Sequence, residues 1–265
     1  MSTGTPHGAW LARAAARDIG LRAVHVGGGW LFPDTLGDYL RVWAWRLGQR
    51  DAGARRWIAR TLQPGMAVVD VGAHLGAYTL ALAQAVGPSG RVLALEPDAH
   101  NFDLLTRAAP RWRLPQVDAR RLAAADYTGW TTLHRSPSDP ADHRIVSAAT
   151  DRQRVSVRAV CLDELLAEWP RVDVIKLAVQ GVEVLALRGL RRTLAGHPEL
   201  RLLCTVAPAL LERSGAAADA LFEPLAELGL RPHIPRRDGT AEPVHPTVAW
   251  GMASAQGRLV VLFAR

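Results

Sequence analysis

Lysine is almost missing from this 265-residue sequence: of its 32 basic residues, Lys176 is the one lysine and the other 31 are arginines. A coding bias toward Arg and Ala accounts for this in bulk, and it makes the surviving lysine a position to follow. Cysteine is equally sparse. Cys161 and Cys204 stand far apart and form no C-x-x-C pair, which excludes a disulfide framework or a zinc ribbon. They read as small buried apolar residues in a reducing compartment. No apolar run approaches the ~20 residues that span a bilayer. The Ala-rich start, with Ala14, Ala15, Ala16 and Arg17, is broken by charge and carries no secretory core. A soluble, cytoplasmic chain with no membrane partner is expected. The apolar fraction of 49% and charged fraction of 22% exclude a wholly disordered chain. The formal charge is +7, but the arginines are scattered and no zinc-finger spacing or basic helix with heptads is present. Nucleic acid is therefore not an expected partner.

What is there is a regular alternation of strands and helices. Residues 1–20 read as a fraying start, and residues 1–63 as an N-terminal extension with some β character and helical spacing from Tyr39 to Leu47. In that extension Trp30, Phe32, Tyr39, Trp43 and Trp45 either pack it onto the body or line a pocket, with packing preferred. After Pro64-Gly65, residues 67–72 read as a buried parallel strand ending in a glycine turn. A helix follows over 77–86, a strand over 91–97 and a helix over 99–109. Residues 116–123, 172–177, 200–206, 230–234 and 258–263 continue the strands, and 129–134 and 155–160 are β-like around a polar stretch, 136–154. Helices are expected over 162–168, 183–194 and 216–228. Between 234 and 258 no crossover helix is evident, so the last two strands read as an antiparallel pair. The fold class is α/β: a doubly wound, mostly parallel sheet with an antiparallel last strand, in one main domain over 64–265.

The informative constellation is Asp70-Val-Gly72-Ala73-His74-Leu-Gly76, followed 24 residues after Gly72 by Glu96. Gly72 turns the chain off the strand, and Gly76 opens a helix whose N-terminal N–H groups favour a negatively charged group. Glu96, at the end of the next strand, is placed to accept hydrogen bonds from two ribose hydroxyls. Dinucleotides and S-adenosylmethionine both fit this layout, and so does a ligand-free glycine turn. The pyrophosphate-reading second glycine is absent, and Asp70 suits a cationic, amino-acid-bearing ligand better than phosphates.

Ordered motifs extend well beyond that turn: Val69 to Thr79, Gly90 to Pro97, Ala123 to Gly129, Cys161 to Leu165 and Val174 to Glu183. Over residues 64–235 the chain resembles the FkbM-type family of S-adenosylmethionine-dependent methyltransferases. The resemblance implies a class I methyltransferase sheet (Rossmann-like) and S-adenosylmethionine as cofactor. It places Asp70, Gly72, Ala73, His74, Gly76, Tyr78, Glu96, Pro97 and Ala123 at the cofactor. It also implies a small-molecule acceptor, natural-product or sugar-like, methylated at oxygen. The chain departs from the family at its rim. Where relatives read Lys-Ile-Asp-Val-Glu-Gly, this chain has Lys176-Leu-Ala178-Val-Gln180-Gly181, and Thr205 stands where a Glu is common.

Losing three carboxylates removes the obvious bases and hard-cation ligands, so no metal is expected. Methyl transfer is an in-line displacement helped mainly by positioning, and a base adds ~10²–10⁴-fold for an alcohol acceptor. Lys176, with its charge less compensated, is one candidate catalytic group, as an anion binder or a base. His134 and His143, flanking the polar stretch, are the others. An altered, non-catalytic homologue that binds the cofactor or supports a partner enzyme is the alternative, and a homo-oligomer is left open.

Overall fold

A computed structural model describes residues 23–145 and 151–265; the fraying read for residues 1–20 and part of the polar stretch lie outside them. A short antiparallel ribbon, β1 (Val24–Val26) and β2 (Gly29–Leu31), opens the described chain. Helix α1 (Leu36–Arg46) begins at Thr35, whose hydroxyl accepts from the Asp38 N–H, an N-cap that satisfies one orphan donor. Helix α2 (Ala52–Thr61) follows. The Pro64-Gly65 turn then feeds β3 (Ala67–Val71), α3 (Ala77–Val86), β4 (Arg91–Leu95), α4 (Ala99–Trp112) and β5 (Val117–Arg120).

The strand expected to run on to residue 123 stops at Arg120. Ala123–Ala125 (β6) pairs instead with β8 (Gln153–Cys161), which also pairs β7 (Gly129–Arg135), in a separate three-stranded sheet. Next come α5 (Leu162–Leu165), β9 (Val174–Leu177), α6 (Glu183–Arg188) and α7 (Arg191–Gly196). The single helix expected over 183–194 is broken at Gly189, where an added Cβ would lie 2.0 Å from the Ala125 carbonyl oxygen. Close approach of backbone there leaves room only for glycine. The chain ends with β10 (Arg201–Val206), α8 (Pro208–Arg213), α9 (Ala218–Glu227), β11 (Arg231–Pro235), β12 (Ala241–Pro243), α10 (Pro246–Gln256) and β13 (Leu259–Ala264). Helix α10 occupies what read as a long loop, because the small residues Ala249 and Ala253 bury against the sheet without a strong apolar period to announce them.

Among the described residues the main sheet has the order β12-β11-β13-β10-β9-β3-β4-β5. Strands β10, β9, β3, β4 and β5 run parallel, while β13 lies antiparallel between β10 and β11. This is the doubly wound sheet with an antiparallel last strand that the alternation implies. Period-2 alternation splits its core in two. Val69, Val71, Ile175, Leu202 and Phe263 face one layer, packed under α6 to α10. Val68, Val92, Val174, Leu203 and Leu262 face the other. Trp45, Trp57 and Ile58 of the N-terminal helices belong to that second layer, together with Leu80 and Leu105. The extension is thus one wall of the core. Gly53 shows how closely it packs: a Cβ there would lie 2.0 Å from the Pro235 carbonyl oxygen.

Candidate functional site

A cavity of about 490 Å³ opens over the carboxyl ends of β3, β4, β9 and β10. That is where ligands sit in open α/β sheets, and the volume lies in the ordinary range for small-molecule sites. One wall is the turn after β3. Gly72 has φ +81, and a Cβ would lie 2.1 Å from the Ala178 carbonyl oxygen, so the two strand ends approach as only glycine allows. Ala73, His74 and Tyr78 line the cavity, as do Glu96, Pro97 and Ala123. Gly76 does not. It caps α3 at φ +88, packed so closely on Leu105 and Trp112 that a side chain has no room.

Glu96 is buried, and its Oε2 accepts from the His74 N–H at 2.8 Å. Its Oε1 accepts from the Asp98 N–H at 3.1 Å and from Asn101 Nδ2 at 3.4 Å. Burial pushes this carboxyl up to about 7, against the pull of those donors. Oε2, with one donor, keeps lone-pair capacity for a further one, whereas Oε1 already accepts two, the Asn101 contact being the longest. Beside it, Leu122, Ala123 and Ala124 form a small, apolar flank. A buried carboxyl beside a small apolar flank has the chemistry to receive the ribose and base of an adenosine moiety.

Lys176 departs from expectation. It is buried, and its Nζ lies 2.9 Å from Asp70 Oδ1 and donates to the Gly72 carbonyl at 2.7 Å. The cause is register: Asp70 and Lys176 are direct partners across parallel β3 and β9, so their side chains leave the same face. Thr79 Oγ1 donates to the other Asp70 oxygen at 2.7 Å. The lysine is therefore compensated by a carboxylate on the adjacent strand, despite Ala178 and Gln180. Asp70 is wholly buried and does not line the cavity; it acts on the turn through Lys176 rather than on a ligand. The pair also leaves the cavity floor close to neutral.

The neutral rim lies where the sequence places it. Ala178, Gln180 and Thr205 all line the cavity. Gln180 sits at φ +58, and the loop around it is pinned by Glu183, which accepts from the Val179 and Gly181 N–H groups, each at 3.0 Å. Burial raises the Glu183 carboxyl to about 7.

The histidines divide. His143 lines the cavity, but its Nδ1 accepts from the Ser136 N–H at 3.0 Å and its Nε2 lies 3.7 Å from Asp98. That arrangement makes Nε2 the protonated nitrogen and leaves no lone pair for a substrate proton. Burial lowers its pKa to about 4, so it is neutral at pH 7. His134 stands on β7, outside the cavity lining, with its backbone bridged to Arg144. His134 thus stands apart from the cavity, and the lone pair of His143 is already occupied. His74 sits at φ +53 with Nε2 3.4 Å from the buried Asp38 carboxylate, and desolvation lowers its pKa.

The residues missed in the sequence come from the extension. Asp38, Arg41, Trp45, Arg50 and Asp51 line the cavity opposite the β3 turn, with Arg258 from the start of β13. Of the five extension aromatics singled out, Trp45 alone reaches this lining; it stacks edge-on to Tyr78 with ring centres 4.6 Å apart. Asp51 binds Arg258 Nη2 through both oxygens at 2.9 Å and accepts from the Tyr78 hydroxyl at 3.1 Å. Burial, then Asp51, pushes the Tyr78 phenol well above its ordinary value. Arg41 bridges Asp38 and Asp139, tying the extension to the segment after β7. No periodic signal announces these residues, because they gather from three distant parts of the chain.

The sheet order, the crevice over the β3 turn and the carboxylate at the end of β4 define a class I methyltransferase fold. Residues 70–228, more than half of the chain, match the family model of the methyltransferase FkbM domain. The protein belongs to that family. Solved structures similar to it include precorrin-6y C5,15-methyltransferase from Geobacter metallireducens GS-15, at 12% identity over 82% of this chain and 88% of that one, with a TM-score of 0.46. A SAM-dependent O-methyltransferase from Thermotoga maritima is 14% identical over 91% of this chain and 83% of that one, with a TM-score of 0.41. TYW2 from P. horikoshii, in complex with MeSAdo, is 13% identical over 97% and 82%, with a TM-score of 0.44. No curated protein matches. Among the described residues no helix is long and apolar enough to cross a membrane.

Proposed function

We propose that this protein transfers a methyl group from S-adenosylmethionine to an oxygen of a small molecule, natural-product or sugar-like, in the cytoplasm. The observation that carries the reading is the continuity of one cavity from Glu96 and the β3 turn to the rim at Ala178, Gln180 and Thr205. In this reading Glu96 accepts the ribose hydroxyls, Ala123 and Pro97 flank the adenine, and Gly72, Ala73 and His74 shape the turn beneath the amino-acid end. Bound S-adenosylmethionine would supply a sulfonium methyl group: the acceptor oxygen's bond to the methyl carbon would form in line as the carbon–sulfur bond breaks, with S-adenosylhomocysteine as leaving group and any acceptor proton lost to solvent. The Asp70–Lys176 pair keeps the floor from repelling that cation. Lys176 is here a positioning residue: it holds the Gly72 carbonyl and hence the turn.

Apart from Glu96, the lining carboxylates are all engaged by other side chains. Asp38 meets Thr35 and Arg41, Asp51 meets Arg258, Asp139 meets Arg41, and Asp142 meets Arg144 and Arg152. Catalysis then rests on alignment rather than on a protein base, and favours an acceptor oxygen that is already anionic or readily loses its proton to solvent. The neutral rim also favours a second reading, a non-catalytic homologue that binds the cofactor and supports a partner enzyme.

Calorimetry with S-adenosylhomocysteine tests the cofactor assignment. Binding is expected for the wild type and at least about tenfold weaker binding for Glu96→Ala, the loss of hydrogen bonds to a charged group, with melting temperature recorded to separate unfolding. No heat from the folded wild type would sink the assignment. A mass-spectrometric screen for products heavier by CH2 separates the two readings: binding without any product supports the second.

A further inference from the structure

The cations lining the cavity are Arg41, Arg50, Lys176 and Arg258. Three are neutralised by carboxylates: Arg41 by Asp38 and Asp139, Lys176 by Asp70, and Arg258 by Asp51. Among the described residues Arg50 has no side-chain partner of either kind, although it is partly buried. Its position is held by backbone: the Arg50 N–H donates to the Ala44 carbonyl at 3.1 Å, just past the end of α1. Asp51 follows in the left-handed region at φ +51 and spends its carboxylate on Arg258 and Tyr78 rather than on capping α2. A non-glycine residue held there, with its cap given up, marks a loop kept in place by tertiary contacts. Burial, then the neighbouring Arg258, pushes the Arg50 guanidinium below its ordinary value, while Asp51 pulls against them. A partly buried guanidinium without a partner is a site in want of an anion, and its planar fork matches an oxyanion in two-point fashion.

We propose that Arg50 grips an oxyanion of the methyl acceptor, so that the substrate is an acidic small molecule bearing a carboxylate, phosphate or sulfate. This rests on the methyltransferase reading of the same cavity and narrows its acceptor. It agrees with a wall whose own carboxylates, Asp38, Asp51 and Asp139, are paired with arginines, since a negatively charged acceptor meets no free negative charge there.

The test uses the full chain, an Arg50→Met variant that keeps the apolar stem, and phenyl phosphate and benzoate as probes. Each probe is titrated calorimetrically with and without S-adenosylhomocysteine, against phenol as the uncharged control. The wild type is expected to bind an acidic probe and not phenol, and Arg50→Met to bind it roughly ten- to a hundredfold more weakly, as for hydrogen bonds to a charged group. Arg50→Lys, which keeps the charge but not the fork, should fall between. Equal binding by wild type and Arg50→Met, or no binding of either acidic probe, overturns the proposal. The cofactor's own carboxylate is separated by a second arm. If Arg50→Met weakens S-adenosylhomocysteine but leaves 5′-methylthioadenosine, which lacks the carboxylate, unchanged, the arginine reads the cofactor and the acceptor proposal fails. A wild type that binds phenyl phosphate through Arg50 but not S-adenosylhomocysteine would sink the cofactor reading while leaving the anion site standing.

Discussion

The two walls of the cavity are built on different physical terms. The wall after β3 and β4 is local. A glycine turn, a strand end and a helix start lie within about 27 residues, and backbone N–H groups hold Glu96 in place. The opposite wall is assembled from α1, the loop at 47–51 and the start of β13, joined by charged side chains across as many as 207 residues of sequence. Backbone geometry shapes the first wall and ion pairing the second. On the proposed function the first wall meets the cofactor and the second the acceptor.

The sharpest way to break this contrast is at its hinge, the buried Asp70–Lys176 pair, which belongs to the β3 turn yet reaches across strands. Lys176→Met strands the Asp70 carboxylate in the core and should cost about 3–5 kcal/mol in denaturant unfolding. The double variant Lys176→Met with Asp70→Leu should recover much of that loss. Because both variants loosen the Gly72 carbonyl, S-adenosylhomocysteine affinity should fall in each even where stability returns. A double variant that binds as tightly as the wild type would remove the positioning role.

A smaller effect separates the walls by pH. Burial raises the Glu96 carboxyl to about 7, so in the free protein it is largely protonated below that value. Ribose hydroxyls are better received by the ionised form, and S-adenosylhomocysteine affinity should therefore rise between about pH 6 and 8, a dependence absent from Glu96→Gln. Stability moves the opposite way. A folded pKa above the unfolded 4.5 gives stability that is complete below the unfolded value and is lost as pH rises toward 7, and Glu183 shares that sign. Glu183→Gln should accordingly gain on the wild type in unfolding free energy across that window. His143, lowered to about 4, works in the reverse sense: its contribution is present above 6.5 and lost as pH falls.

The smallest effects concern the histidines. His134→Ala, outside the lining, should leave S-adenosylhomocysteine affinity within about twofold of wild type, since surface changes away from such contacts are usually within about 0.5 kcal/mol. His143→Asn, whose ring accepts the Ser136 N–H, should lower the melting temperature by a few degrees, on the order of 1 kcal/mol for a lost hydrogen bond. A large loss of methyl transfer without loss of stability in either variant would restore that histidine as a base.

The parts legible in the sequence are those with a short-range code. Residues 67–72 and 91–97 are apolar runs that end in a glycine and a carboxylate, and the structure puts Gly72 and Glu96 on one cavity wall. The antiparallel ending was equally readable, although α10 was not, because its buried face is alanine and offers little apolar contrast. Lys176 was visible as a singular residue but not as a partner of Asp70, since that pairing depends on strand register 106 residues apart. The wall formed by Arg41, Arg50 and Asp51 was invisible for the same reason.

By itself, then, the sequence determined the doubly wound fold, the family and the turn at Gly72 with its acidic companion Glu96, because strand period, glycine stereochemistry and helix caps act over a few residues. Only the tertiary structure decided that Lys176 is paired, that His143 has its lone pair occupied and that an unpartnered Arg50 faces the cavity. Charge compensation and burial depend on which strands and loops become neighbours, and that is settled by packing rather than by local sequence.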